Sequence, residues 1–483
     1  MKKNKSFLGT LISNLSYAYI SQAISLIISL VFTLVVPKIL GVEGYGYWQL
    51  IVFYATYIGV LYFGLNDGLY LREGGKAYSE LNHSQIATQS RIFFVFHTLV
   101  AFALTAVAVL FVQDVNRTFV IICAAIYIPF LNLKGLLTHT LQAVNRTKVY
   151  SISLIIDKIF ILFAIICALF LQVKDFRYYV VVYVIGGIIA TIYCCICARE
   201  ILFAPNCNLS DAKRDAIANI KAGFPLMLSS FAAMLITGVS RQVIDIRWDI
   251  SQFGKISLAI TMMNFVLMFV NQSSLVLFPS IRRMHQDGYL AFYQCMNRIL
   301  NLVLPLILIV YVPVGFLVRK WLPNYSESVM YLGVMLPICI FDGKMSLLSN
   351  TYYKMLRLER KLLLINLVTF GLNTVFAVIG AFVFDNIKII VLGLVIAIAI
   401  RSLISEIYLH IRLEKNFDHT TVVMIAMSVL FVTLNTLLKQ WLSFAIYTVI
   451  CITVFVVYLP KLKNSFANLK STMNNANKTI IKE

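Results

Sequence analysis

Six charged side chains stand in stretches that are otherwise apolar: Lys134, Asp157, Arg241, Asp342, Lys344 and Arg401. At membrane depth an ionisable group costs a few kcal/mol, so each either has a partner or does chemistry. Counting from a turn at Asn145-Arg146 sets Lys134 and Asp157 at the same depth, where they could pair. A turn at Leu358-Glu359 sets Lys344 opposite Asn373 in the same way, and Asp342 shares that level. Arg241 and Asp245 are four residues apart and could pair along one helix face, while Arg401 and Glu406 follow in a later apolar run. Lysine and arginine in a wet cleft between low-dielectric walls attract and hold an anionic headgroup, a diphosphate being the foremost candidate. The competing reading makes Lys134–Asp157 and Arg241–Asp245 structural ion pairs that hold helices in register, with Lys158 snorkelling to an interface. Tyr17, Tyr19, Tyr54, Tyr57 and Tyr62 could stack on sugar rings or serve as core and interface residues.

These residues need helices to carry them. Of 483 residues, 60% are apolar and 13% charged, with a mean hydropathy of +0.85. A soluble chain carries roughly 25% charge, so a water-soluble protein is excluded. Fourteen apolar stretches are each long enough to cross a ~30 Å hydrocarbon core as a helix, with cores at 13–36, 46–65, 92–112, 118–140, 150–171, 178–198, 222–243, 256–278, 298–318, 328–350, 362–384, 387–410, 420–438 and 442–460. Continuous runs such as Leu302 to Val310 lack the alternation of a membrane barrel. Placing the N-terminus inside puts 29 of the 41 lysines and arginines on the inner side and 11 on the outer, so both termini are expected in the cytoplasm. Met1-Lys-Lys-Asn-Lys precedes an apolar run without a cleavage site, so the first helix is expected to stay as an anchor.

An offset of 208 residues superposes Tyr45-Gly46 and Leu50 on Phe253-Gly254 and Leu258, and Pro129 and Gly135 on Pro337 and Gly343. The expected architecture is therefore an all-α polytopic membrane protein with two six-helix lobes of like orientation, 1–200 and 201–415, around a central cavity. Two appended helices (416–460) and a disordered basic tail (461–483) complete it. Pro129, Pro305, Pro313 and Pro337 are candidate bending points or static kinks.

The charge of +20 is explained by topology and anionic lipid, and no nucleic-acid partner is expected. Seven of the nine cysteines lie in apolar spans, the six histidines form no ligand pair, and there is no phosphate-binding Gly-Lys-Ser/Thr loop. Neither a metal nor ATP-driven transport by this chain is expected.

Val36-Pro37-Lys38-Ile39-Leu40-Gly41 followed by Val42-Glu43-Gly44-Tyr45-Gly46-Tyr47-Trp48 resembles the signature of polysaccharide-transport flippases, with Lys38 in the usual arginine place. Phe63-Gly64-Leu65, Leu141-Gln142-Ala143-Val144-Asn145-Arg146-Thr147, Gly223-Phe224-Pro225-Leu226, Leu277-Phe278-Pro279 and Trp321-Leu322-Pro323-Asn324-Tyr325 continue the resemblance over about residues 10–460. It implies the O-antigen flippase branch of the multidrug/oligosaccharidyl-lipid/polysaccharide exporter superfamily. Such proteins move undecaprenyl-diphosphate-linked repeat units from the cytoplasmic to the periplasmic leaflet of the bacterial inner membrane by alternating access. The resemblance further implies H+ or Na+ as coupling ion, membrane lipids as partners and polysaccharide polymerase machinery as a candidate partner. Where relatives often show Asp-Arg, this chain has Ser240-Arg241 and then Asp245. A multidrug/cation antiporter would favour an acidic, aromatic cavity. A membrane glycosyltransferase or polymerase would need a sizeable outer loop, and the outer connections here are short, so no enzymatic activity is expected.

Overall fold

A computed structural model describes the backbone of residues 2–282, 286–414, 416 and 418–480, and the side chains of 24–270, 288–414, 416, 418–465 and 467. Helices account for nearly all of it, with no strand among the described residues. They are α1 (Lys2–Ile58), α2 (Leu65–Glu73), α3 (His83–Phe111), α4 (Val115–Ala143), α5 (Thr147–Phe170), α6 (Phe176–Cys197), α7 (Arg199–Leu202), α8 (Leu209–Arg247) and α9 (Ile250–Arg282). There follow α10 (Gln286–Val303), α11 (Tyr311–Trp321), α12 (Ser326–Met335), α13 (Ile338–Lys344), α14 (Asn350–Met355), α15 (Glu359–Val378), α16 (Ile387–Arg412), α17 (Thr420–Leu437) and α18 (Gln440–Ile480).

Twelve helical stretches among the described residues are long and apolar enough to cross a membrane, and a bent pair, Pro323–Met335 with Ile338–Met355, makes thirteen. One of the twelve, Ile24–Tyr62, is 39 residues long, about 58 Å at the helical rise and nearly twice a hydrocarbon core. Gly41, at φ 68° and ψ −175°, breaks α1 between the two apolar cores that the sequence separates. Counting the two halves apart reconciles the structure with fourteen spans.

Local chemistry explains the boundaries. Asn82, Asp114, Asp175 and Asn386 accept N–H bonds at the starts of α3, α4, α6 and α16. The hairpins turn where expected, through Asn145 (φ 62°) and Arg357 (φ 55°). Pro337 lies at the 47° bend between α12 and α13, and Pro305 opens a tight 3-10 stretch, Leu304–Val310; Pro129 lies within an unbroken α4. The basic tail expected to be disordered instead continues α18 to Ile480, for no glycine or proline interrupts residues 461–480.

The chain divides into two compact units, Met1–Phe231 and Ala232–Glu483, so the boundary falls within α8 and the appended α17 and α18 belong to the second unit. In the first, α3 buries only 11% of its most apolar window whereas α4 buries 56%, so α3 faces lipid and α4 is central. The repeat positions Tyr45 and Leu50, and Phe253 and Leu258, are buried in their respective units.

Candidate functional site

In the second unit, the end of α13 carries Lys344 into the buried interior. Its ammonium lies 2.8 Å from a carboxylate oxygen of Glu406 on α16, and both side chains are 1% exposed. Lys344 Nζ also donates to Asn301 Oδ1 at 2.6 Å. Asn301 Nδ2 donates in turn to Thr420 and Thr421 hydroxyls at 2.9 and 3.0 Å. Glu406 Oε1 accepts from Asn297 Nδ2 at 2.8 Å and from Thr421 Oγ1 at 2.7 Å. Helices α10, α13, α16 and α17 are thus joined through one ion pair whose charges have near neighbours to hold them. A π-helical stretch, Met345–Ser349, follows Lys344 directly, a register shift of the sort found at functional sites in membrane helices.

A second pair lies on the same two segments. Arg401 donates to Asp342 Oδ1 at 2.6 Å, with side-chain exposures of 9% and 24%, and its buried Nε has no acceptor among the described residues. Beyond the end of α16, Arg298 of α10 reaches Asp418 at 2.5 Å and Ser465 at 2.9 Å. Burial alone would push the Asp418 carboxyl up, but the Thr420 N–H, the Arg298 guanidinium and the Thr420 hydroxyl hold it below its ordinary value.

The expected partnership of Lys344 with Asn373 is corrected by these contacts: Asn373 of α15 donates instead to the Ile236 carbonyl at 2.5 Å and to Ser240 Oγ at 2.9 Å on α8. Arg241 donates to Ser257 Oγ at 2.9 Å and lies over the Phe253 ring.

In the first unit, no ion pair joins Lys134 to Asp157. Helix α6 packs against both α4 and α5. Asp157 faces Gly186 of α6, where a Cβ would lie 3.2 Å from its Oδ1. Equal depth is one coordinate; the angle around each helix is another, and here α6 packs against both helices while the two side chains form no pair. Lys134 is left buried with no carboxylate within ion-pair distance among the described residues. Tyr54 and Tyr57 pack on Phe53, and Tyr62 Oη donates to Asp67 Oδ2 at 2.9 Å; the Tyr17 and Tyr19 side chains lie outside the described residues.

Residues 11–285, more than half of the sequence, match the polysaccharide biosynthesis protein family. The chain belongs to that family. A search of curated proteins returned no match. Among solved structures, the chain is similar to "Lipid II flippase MurJ, inward closed conformation", with a TM-score of 0.71 and 12% identity over 94% of this chain and 100% of that one. It is also similar to the inward-facing conformation of a multidrug resistance MATE family transporter of the MOP superfamily, with a TM-score of 0.59 and 10% identity over 81% and 98% of the two chains. Its fold is that of the multidrug/oligosaccharidyl-lipid/polysaccharide superfamily.

As a polysaccharide biosynthesis family member, the chain uses several of its motif residues for packing rather than for polar contact. Phe63-Gly64-Leu65 and Gly223-Phe224-Pro225, far apart in sequence, meet backbone to backbone. A Cβ on Gly64 would lie 2.5 Å from the Phe224 nitrogen, and one on Gly223 would lie 2.0 Å from the Gly64 oxygen. One turn on, a Cβ on Gly68 would lie 1.8 Å from the Asn219 oxygen. Polar contacts fasten the same junction: Arg72 pairs with Asp215 at 2.8 Å and bonds Asn219, and Gln89 donates to Asp215 at 2.9 Å. Leu277-Phe278-Pro279 lies outside the described side chains. The site residues that the sequence analysis passed over are Asn297, Asn301, Arg298, Thr420, Thr421 and Asp418. A signal was present in Asn297 and Asn301, which fall one turn apart at the head of an apolar run, and in Glu406 and His410, one turn apart at the tail of another.

Proposed function

We propose that the chain is a flippase that moves undecaprenyl-diphosphate-linked oligosaccharide repeat units, of O-antigen or a similar polysaccharide, from the cytoplasmic to the periplasmic leaflet of the bacterial inner membrane by alternating access. A glycan's hydroxyls each cost several kcal/mol when unsatisfied in hydrocarbon, so the sugar needs a polar passage while the polyprenyl chain stays in lipid. Family membership together with the fold shared with a lipid II flippase supports this reading. The single observation that carries it from geometry is that two membrane carboxylates of the second unit, Glu406 and Asp342, are each paired with a basic side chain, Lys344 and Arg401, and so do not stand open to a cation. Each unit, taken by itself, offers a group to which a diphosphate would turn: Lys134, without a carboxylate, in the first and Arg401, with a donor to spare, in the second. H+ or Na+ is the proposed coupling ion, with polysaccharide polymerase machinery as a proposed partner. On the side taken as outer, the connections 112–114, 171–175, 248–249, 384–386 and 438–439 are two to five residues long, which leaves little room for a catalytic loop there.

Expression in a bacterial strain lacking its own flippase tests the proposal. Restored surface polysaccharide, lost again in Lys134→Ala or Arg401→Ala at equal membrane abundance, is the expected result. No restoration by an abundant wild-type chain, or drug efflux in its place, overturns it.

A further inference from the structure

Between the middle of α10 and the end of α16 lies a cavity of about 430 Å³, within the roughly 300–1,000 Å³ range of small-molecule sites. Its floor is buried and its rim is wet. Asn297, 1% exposed, and His410, 5% exposed, form the floor, while Glu414 and Asn416 stand exposed at the rim. The floor is held in place from behind. Asn297 Nδ2 is committed to Glu406, and that assignment directs Oδ1 as the remaining acceptor; this oxygen is buried and has no hydrogen-bond partner among the described residues. The His410 ring is fixed by the Glu406 carbonyl at 2.9 Å and Tyr293 Oη at 3.3 Å. On one wall Arg298 is clamped by Asp418 and Ser465.

Among the described residues one guanidinium and two carboxylates line the cavity, a net charge of −1 with the imidazoles neutral, and the guanidinium already has its carboxylate. Among the described residues that line it, a free phosphate or other anion finds no open cation. The amides of Gln294, Asn297 and Asn416 offer donors and acceptors side by side, which suits a ligand whose hydroxyls do both.

We infer that this cavity is a binding site for a neutral saccharide, one or two rings in size, in the second unit. The inference rests on the transport reading only for why a sugar is at hand: the glycan of the lipid-linked substrate would seat a ring there. The site requires no metal and no covalent step.

The test uses the full-length protein in detergent micelles and ligand-observed saturation-transfer NMR. The probes are the methyl glycosides of glucose, galactose and mannose and free N-acetylglucosamine, with inorganic phosphate and tetramethylammonium followed by competition. At least one saccharide is expected to bind with a millimolar Kd, weakened at least tenfold in Gln294→Ala/Asn416→Ala. Neither substituted residue holds the buried network, so the variant is expected to keep the wild-type melting temperature. No saccharide binding up to tens of millimolar, displacement by phosphate or tetramethylammonium, or affinity unchanged in the double variant overturns the inference. A chain that binds the sugar but moves no lipid-linked glycan keeps this site and refutes the transport reading; a working flippase without saccharide affinity does the reverse.

Discussion

Removing the Lys344 ammonium strikes the most enclosed charge in the second unit. In Lys344→Met the side-chain volume is nearly kept, but Glu406 loses its counter-charge while still 1% exposed, and Asn301 Oδ1 loses its donor. Breaking a buried pair from one side costs about 3–5 kcal/mol, because the surviving charge is left uncompensated. For a unit of this size about 2–4 °C of melting temperature goes with each kcal/mol, so thermal unfolding in detergent should shift down by roughly 6–20 °C. Glu406→Gln on the same background removes the stranded charge yet keeps an acceptor for Asn297 and Thr421. The double variant should therefore recover most of the loss, giving a coupling of about 2 kcal/mol or more between the two positions. A single variant that melts within ~2 °C of wild type, or a double variant no better than the single, would refute the argument that this pair is closed and dry.

Gly68→Ala should cost more than about 3 kcal/mol, the upper end for overpacking, since a backbone oxygen rather than a movable side chain occupies the space; Gly371→Ala, with nothing within 4 Å, should be neutral or slightly stabilising, and melting temperatures in detergent compare the two. Asp418 has a depressed pKa, so the stability it contributes is present above the ordinary carboxylate value and is lost as pH falls through its lower, folded-state value. The melting difference between wild type and Asp418→Asn should accordingly be constant from pH 8 to about 5 and shrink below about pH 4; a difference that does not shrink at all between pH 5 and pH 2 would speak against a charged Arg298–Asp418 clamp. Arg401→Lys keeps the charge and loses the planar fork, so headgroup binding in reconstituted membranes should weaken roughly 10- to 100-fold, the worth of one hydrogen bond to a charged group; unchanged binding would remove Arg401 from the site.

The membrane spans were legible in the sequence because hydrocarbon thickness acts on composition alone. All fourteen apolar cores fall on helices, and even the close pair at 13–36 and 46–65 is separated by the backbone at Gly41. The turns at Asn145-Arg146 and Leu358-Glu359 were legible too, and with them the depth of Lys134, Asp157 and Lys344. Which neighbour each meets was not. Depth follows from counting residues along a helix, whereas the partner depends on the angle around it and on which helix lies between, as α6 does for Lys134 and Asp157. Lys344 escaped for a related reason: its partners, Asn301 and Glu406, lie on helices that are not its neighbours in sequence. The division between the two compact units was not legible, because the chain carries one helix, α8, through it and no change of composition marks the place.

The central claim is that this chain carries a sugar head across the membrane while the lipid anchor stays in hydrocarbon. The most direct measurement reconstitutes the purified protein into liposomes holding a fluorescently labelled polyprenyl-diphosphate oligosaccharide and follows how fast an impermeant glycan-cleaving enzyme outside gains access to molecules that began inside. The account predicts access markedly faster than in protein-free vesicles, slowed in Lys134→Ala and Arg401→Ala. Access at the protein-free rate, with the chain folded and correctly inserted, would contradict it.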